Sequence, residues 1–116
     1  MAANSKSLSD IVIEMEKAGH DVVDAELKAS QLKEDQKPYL ATLMNELDDG
    51  QSSEAKIERL AKGSKVYRDF NNGMNLAKAE AAHKRVRYEN LTRYYEAKRS
   101  ELAMERERMK TLKDIT

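Results

Sequence analysis

From Tyr67 to Leu112 apolar and aromatic side chains recur at alternating intervals of three and four residues, and no other feature of the 116-residue chain constrains its fold as tightly. Read as a and d positions, the column is Tyr67, Phe70, Met74, Ala77, Ala81, Lys84, Tyr88, Leu91, Tyr95, Lys98, Leu102, Glu105, Met109 and Leu112. Eleven of these fourteen are apolar or aromatic, which identifies a coiled-coil-like seam on one long helix. A helix over 64–113 would be roughly 75 Å long at 1.5 Å per residue. A helix of that length needs other helices along its apolar stripe, and this chain is too small to supply them throughout. The spacing therefore predicts an all-α protein, a helical hairpin that oligomerises, with Tyr67, Phe70, Met74, Ala77, Ala81, Leu91, Tyr95, Leu102 and Met109 as the oligomer seam. Lys84 and Lys98 interrupt the stripe. A lysine there is costly unless its ammonium reaches water or a partner, so the pair either sets register or lines a groove.

The first half supplies the other arm of the hairpin. Ser7-Leu8-Ser9-Asp10 offers N-cap residues and an acid in the first turn, where the helix dipole favours it. Ile11, Met15, Ala18, Val22, Ala25, Ala29 and Leu32 then repeat every three or four residues, and Tyr39 and Leu43 continue in phase. This predicts an acidic helical arm over 8–48. Gly19 weakens it by about 1 kcal/mol relative to Ala and invites a bend. Pro38 lacks an amide donor and crowds the preceding turn, so a kink or restart is expected there. Residues 49–53 read as a loop, 53–62 as a short helix carrying Ile57 and Leu60, and Gly63-Ser64 as a stop followed by a new cap. Asn71-Asn72-Gly73 is a weak point in the long helix that the unbroken phase overrides. All 116 residues are expected to form one helical domain.

Composition narrows the chemistry. Charged residues make up 36% of the chain and it has no Cys, so disulfides, thiolate metal sites and thiol catalysis are excluded. No apolar run approaches the ~20 residues of a membrane span, and the start MAANSKSLSD lacks the order of a signal peptide. A cytoplasmic protein is the expectation. An N-terminal stripe lying on a membrane is disfavoured, because its polar face is acidic where anionic lipids call for Lys and Arg.

The net charge is zero but unevenly spread: residues 1–54 carry 5 basic and 12 acidic side chains, residues 55–116 carry 16 and 9. Beside the seam, the e column holds Lys78, Arg85, Thr92, Arg99, Arg106 and Lys113, five of the six basic. With Lys84, Arg87, Arg93 and Lys98, and with Tyr88, Tyr94 and Tyr95 interleaved, this makes a basic ridge of the kind that neutralises phosphates and stacks bases of a single strand. The plainer alternative is that the ridge pairs with the acidic first half, or with Glu80, Glu89, Glu96 and Glu101 along its own helix.

Catalytic signals are absent from the sequence. His20 and His83 have no local partner suggesting a nucleophile or base, and the glycines form no phosphate loop. Glu80-Ala81-Ala82-His83 has the spacing of a carboxylate-bridged di-iron ligand pair, but the seam phase puts Glu80 on the flank and points His83 away from any bundle core. No enzyme activity, metal or cofactor is expected.

Tyr67, Gly73-Met74, Ala77, Arg85-Val86-Arg87-Tyr88, Arg99-Ser100-Glu101, Ala103 and Glu105-Arg106 resemble a pattern in small helical proteins of tailed bacteriophages and prophages, often encoded among recombination and replication genes. The resemblance covers about residues 64–108; the first half matches only as an amphipathic helix. Ala82-His83-Lys84-Arg85-Val86-Arg87-Tyr88 with Tyr94-Tyr95 is also similar to the UvsY family of phage recombination mediators. That family forms ring-like helical oligomers, binds single-stranded DNA and helps load a recombinase. The chain departs from it in length and in its whole N-terminal half. The likeness implies Lys84, Arg85, Arg87 and Tyr88 as DNA contacts and the cytoplasm of a bacterial host as the location.

Two readings of function follow. In the first, the protein is a phage-type recombination or replication accessory factor that binds single-stranded DNA through Lys78, Lys84, Arg85, Arg87, Tyr88, Arg93, Tyr94, Lys98 and Arg99, with a recombinase as its protein partner. In the second, it is a helical protein-interaction module, an inhibitor of a host factor or an assembly adaptor, that recognises a partner helix and no nucleic acid.

Overall fold

The computed structural model describes residues 6–115, so Met1–Ser5 and Thr116 of the single-domain expectation lie outside the described residues. Three helices follow in order, α1 (Leu8–Leu47), α2 (Glu54–Lys62) and α3 (Lys65–Ile115), and no strand occurs among the described residues. The all-α architecture follows from the three-four spacing, which gives each long helix one apolar stripe.

The helices divide into two compact units, one made of the described parts of Met1–Val22 and His83–Thr116, the other of Val23–Ala82. In the second unit α1 and α3 run antiparallel. Tyr39 stacks on Phe70 with ring centroids 4.6 Å apart and planes 14° from parallel. One turn earlier in α1, Gln36 Nε2 donates to Asn71 Oδ1 at 2.9 Å. Ala25, Ala29, Ile57, Ala61, Tyr67, Met74, Ala77 and Ala81 form its buried core. The small residues along both stripes let the backbones approach closely. The apolar face of α2 differs from expectation: Ile57 is buried, but its companion is Ala61, and Leu60 is exposed. A four-residue step keeps Ala61 nearer the Ile57 line than Leu60's three-residue step does, and alanine fits where the turn is tight.

α1 is not interrupted at Pro38, so the restart expected there does not occur. Pro38 is exposed, and its carbonyl accepts a bond from the Thr42 hydroxyl at 3.0 Å. Packing on either side, including the Tyr39–Phe70 stack, outweighs the local penalty of about 3 kcal/mol. Asn71, which the sequence places in a weak point, is half-buried and bonded to Gln36, and α3 is continuous through it.

The turn between α1 and α2 is built from carboxylates. Asp48 Oδ1 accepts from the Gly50 amide, and Asp49 accepts from the amides of Gln51 and Ser52 and from the Ser52 hydroxyl, at 2.8–3.0 Å. The Ser52 amide above all, then Gln51's, holds the Asp49 carboxyl below its ordinary value of 3.8. A lowered carboxyl in the folded chain means that its contribution is present above that value and is lost as pH falls. Ser53 then caps α2 by accepting from the Lys56 amide, and Ser64 caps α3 by accepting from the Tyr67 amide, both at 3.2 Å. Gly50 has φ +76°, a conformation in which a Cβ is strained. Gly50→Ala is expected to destabilise the fold by about 1 kcal/mol, measured by urea denaturation followed by circular dichroism. An unchanged midpoint would show that the turn relaxes.

In the first unit Ser7 caps α1, accepting from the Asp10 amide at 3.2 Å. Ile11, Ala18 and Val22 are buried, and Lys84, Tyr88, Leu91, Tyr95, Lys98 and Leu102 of α3 are half-buried. Gly19 lies directly under Tyr88: a Cβ there would sit 3.4 Å from the Tyr88 ring. The glycine expected to bend α1 lies in a continuous helix and lets the tyrosine ring close on the backbone. Every described α3 residue after Leu102 is exposed.

Candidate nucleic-acid interface

A continuous α3 fixes where each basic side chain points, because successive residues turn by about 100° and seven residues return to nearly the same direction. Arg85, Thr92 and Arg99 share one flank of the seam. Arg87 and Tyr94 share the other, Lys84 and Lys98 lie in the seam between the two flanks, and Arg93 lies on the outer face. Arg85 and Arg87 are about 200° apart. The basic ridge read from the sequence is thus two flanks of one helix, and a single strand lying along α3 would meet one of them at a time. Lys78 sits in the other compact unit, lining a shallow cleft with Glu26, Ala29, Ser30, Lys33 and Ala81.

The side chains also differ in what already engages them. Lys84, Arg85 and Lys98 each interact with a neighbour. Arg87, Arg93 and Arg99 are exposed, and among the described residues none of them forms an ion pair. Arg93 has only a long contact, 3.5 Å, to the Asn90 side chain. Ion pairs lie elsewhere, at Lys6–Glu14, Lys62–Glu58 and Lys65–Asp69, and His20 Nε2 lies 4.0 Å from Glu16 Oε1. Glu58 raises the Lys62 ammonium above its ordinary value, first by hydrogen bonding and then by charge.

The tyrosines separate in the same way. Tyr88 rests on Gly19 and Tyr95 is half-buried, both at seam positions, whereas Tyr94 is 44% exposed. Tyr94 therefore has a ring face open to a base, one helical turn from Lys98 and two turns from Arg87. Of the seam residues, Tyr67, Met74, Ala77 and Ala81 are buried within the chain, Phe70, Leu91, Tyr95 and Leu102 are half-buried, and Met109 is exposed. The earlier part of the seam is thus occupied by the chain's own packing.

Glu80 and His83 are both exposed, and no group of three metal-ligating side chains occurs among the described residues. No helix is long and apolar enough to cross a membrane among the described residues. No protein-family model matches the sequence, and no curated protein or solved structure shows significant similarity to it.

Proposed function

We propose that the protein binds single-stranded DNA along residues 84–99 of α3 and acts as an accessory factor in phage-type recombination or replication. The observation that carries this reading is Arg87, exposed and engaged by no carboxylate among the described residues, on the same flank of α3 as the open Tyr94 ring; Arg93 and Arg99, likewise exposed and without an ion pair among the described residues, face outward and to the other flank. An arginine that keeps its charge in solvent is available to displace counterions from phosphates. On the Arg87 flank Tyr94 adds a stacking face, and stacking requires a base freed from the duplex, which favours a single strand. The resemblance of 82–88 and 94–95 to phage recombination mediators supports the biological setting and makes a recombinase the protein partner to test.

Fluorescence anisotropy with a labelled ~30-nucleotide single strand, compared with a duplex of the same sequence at low salt, tests this. Preferential binding of the single strand is expected. Failure to bind either would contradict it. The second reading, a helical protein-interaction module, draws on the exposed Met104, Met109, Leu112 and Ile115 near the end of α3. A specific protein partner retained after nuclease treatment, with no oligonucleotide binding, would favour it.

A further inference from the structure

The end of α3 carries an interface of its own. Within its compact unit, α3 loses all burial after Leu102, yet the apolar residues continue: Met104, Met109, Leu112 and Ile115 are 72%, 63%, 57% and 75% exposed. A short stretch of bare helix has little stability in water without a surface to pack on. This segment also has a charge order that reads the same in reverse with signs exchanged. Met104-Glu105-Arg106-Glu107-Arg108-Met109, set antiparallel to itself about a point between 106 and 107, places every glutamate opposite an arginine and each methionine opposite a methionine.

Helical phase selects which of these residues meet. Glu101, Glu105, Arg108 and Leu112 lie on one face at four-three-four spacing, while Arg106 and Glu107 point elsewhere. We infer that this face is a homodimer interface: two copies of the chain pair antiparallel through the end of α3, with Glu105 of each against Arg108 of the other. In that register Leu112 lies in the layer of the partner's Glu101, Met109 packs beside the partner's Leu102, and Met104 faces the partner's Thr111. Neither Glu105 nor Arg108 forms an ion pair among the described residues, so both are available for a partner. The pairing is isologous, so it closes at two copies and does not propagate. It is also short. Weak, concentration-dependent association is expected of an interface smaller than the ~1,600 Å² of a standard stable complex. The inference is independent of DNA binding.

Sedimentation equilibrium on the full chain, with charge reversals, tests it. Wild type is expected to dimerise in a concentration-dependent way. Glu105→Arg and Arg108→Glu should each raise the dissociation constant about tenfold or more, because each places like charges in the two central layers. Circular dichroism should show the packed part of the fold intact, with no more than a small loss of helix signal from the freed end of α3. An equimolar mixture of the two variants should recover dimer, since every glutamate of the mixed pair then meets an arginine, and the double reversal Glu105→Arg with Arg108→Glu should dimerise on its own. A wild type that stays monomeric at several hundred micromolar would overturn the inference and leave the face to a different protein. Single reversals that dimerise as wild type does, or a mixture that fails to recover, would overturn the antiparallel pairing.

Discussion

Replacing Arg87, Arg93 and Arg99 together by alanine is expected to lower single-strand affinity by about an order of magnitude or more near 0.1 M salt. The logarithmic salt slope should flatten by roughly 0.7 for each of the three that a strand reaches, and since they point about 120° apart around α3, a strand along one flank loses about one such contact. The size of the effect follows from the solvent exposure of these guanidinia and from their lack of ion-pair partners among the described residues. Alanine at exposed helical positions does not disturb packing, so the melting temperature should hold within a few degrees. Replacing Lys84, Arg85 and Lys98 is a useful contrast, because each already interacts with a neighbour and their loss should affect stability as well as binding. Parallel anisotropy and thermal melts of the two triple variants would separate these outcomes. Equal affinity of wild type and the Arg87/Arg93/Arg99 variant would move the binding surface off this part of α3.

Ile11→Ala is expected to destabilise the protein by about 3 kcal/mol, within the usual range for a large-to-small change in a core. Among the described residues Ile11 is the largest side chain with no exposed surface, and the buried residues around it in the sequence are mostly small, so little else fills the space it would leave. Against a typical stability of roughly 5–15 kcal/mol this is a large fraction. The melting temperature should fall by on the order of 10 °C. Thermal unfolding followed by circular dichroism checks it; a shift of one or two degrees would mean that the start of α1 contributes little to the cooperative fold.

Helix type and the buried side of the two long helices are legible because three-four spacing encodes both together. Tyr67, Met74, Ala77 and Ala81 occupy the seam positions read from sequence and are buried. The unbroken phase carries the reading through Asn71-Asn72-Gly73, and α3 is continuous there. Pro38 and Gly19 are less legible: each lowers local propensity, yet α1 runs through both, and at Gly19 and Asn71 the weak residue makes a specific contact. Local propensity cannot register such contacts, because they join residues far apart in sequence.

The candidate site is legible in its composition and not in its arrangement. Counting Lys and Arg along α3 finds a basic helix but merges two flanks, because residues two apart, such as Arg85 and Arg87, point in nearly opposite directions. The sequence places Tyr88 and Tyr95 both in the seam and on the DNA surface, and a ring packed within the chain cannot also stack freely on a base. Phase alone distinguishes them from Tyr94. Which arginines form no ion pair among the described residues is a property of side-chain placement, and no spacing rule in the sequence reports it.

Binding along α3 is checked most sharply by how single-strand affinity depends on salt. Measurable binding of a ~30-nucleotide strand at low salt is expected, with a logarithmic slope of roughly −0.7 or steeper, as when at least one arginine replaces a counterion on a phosphate. No binding at low salt, or an affinity that does not change with salt, would contradict it.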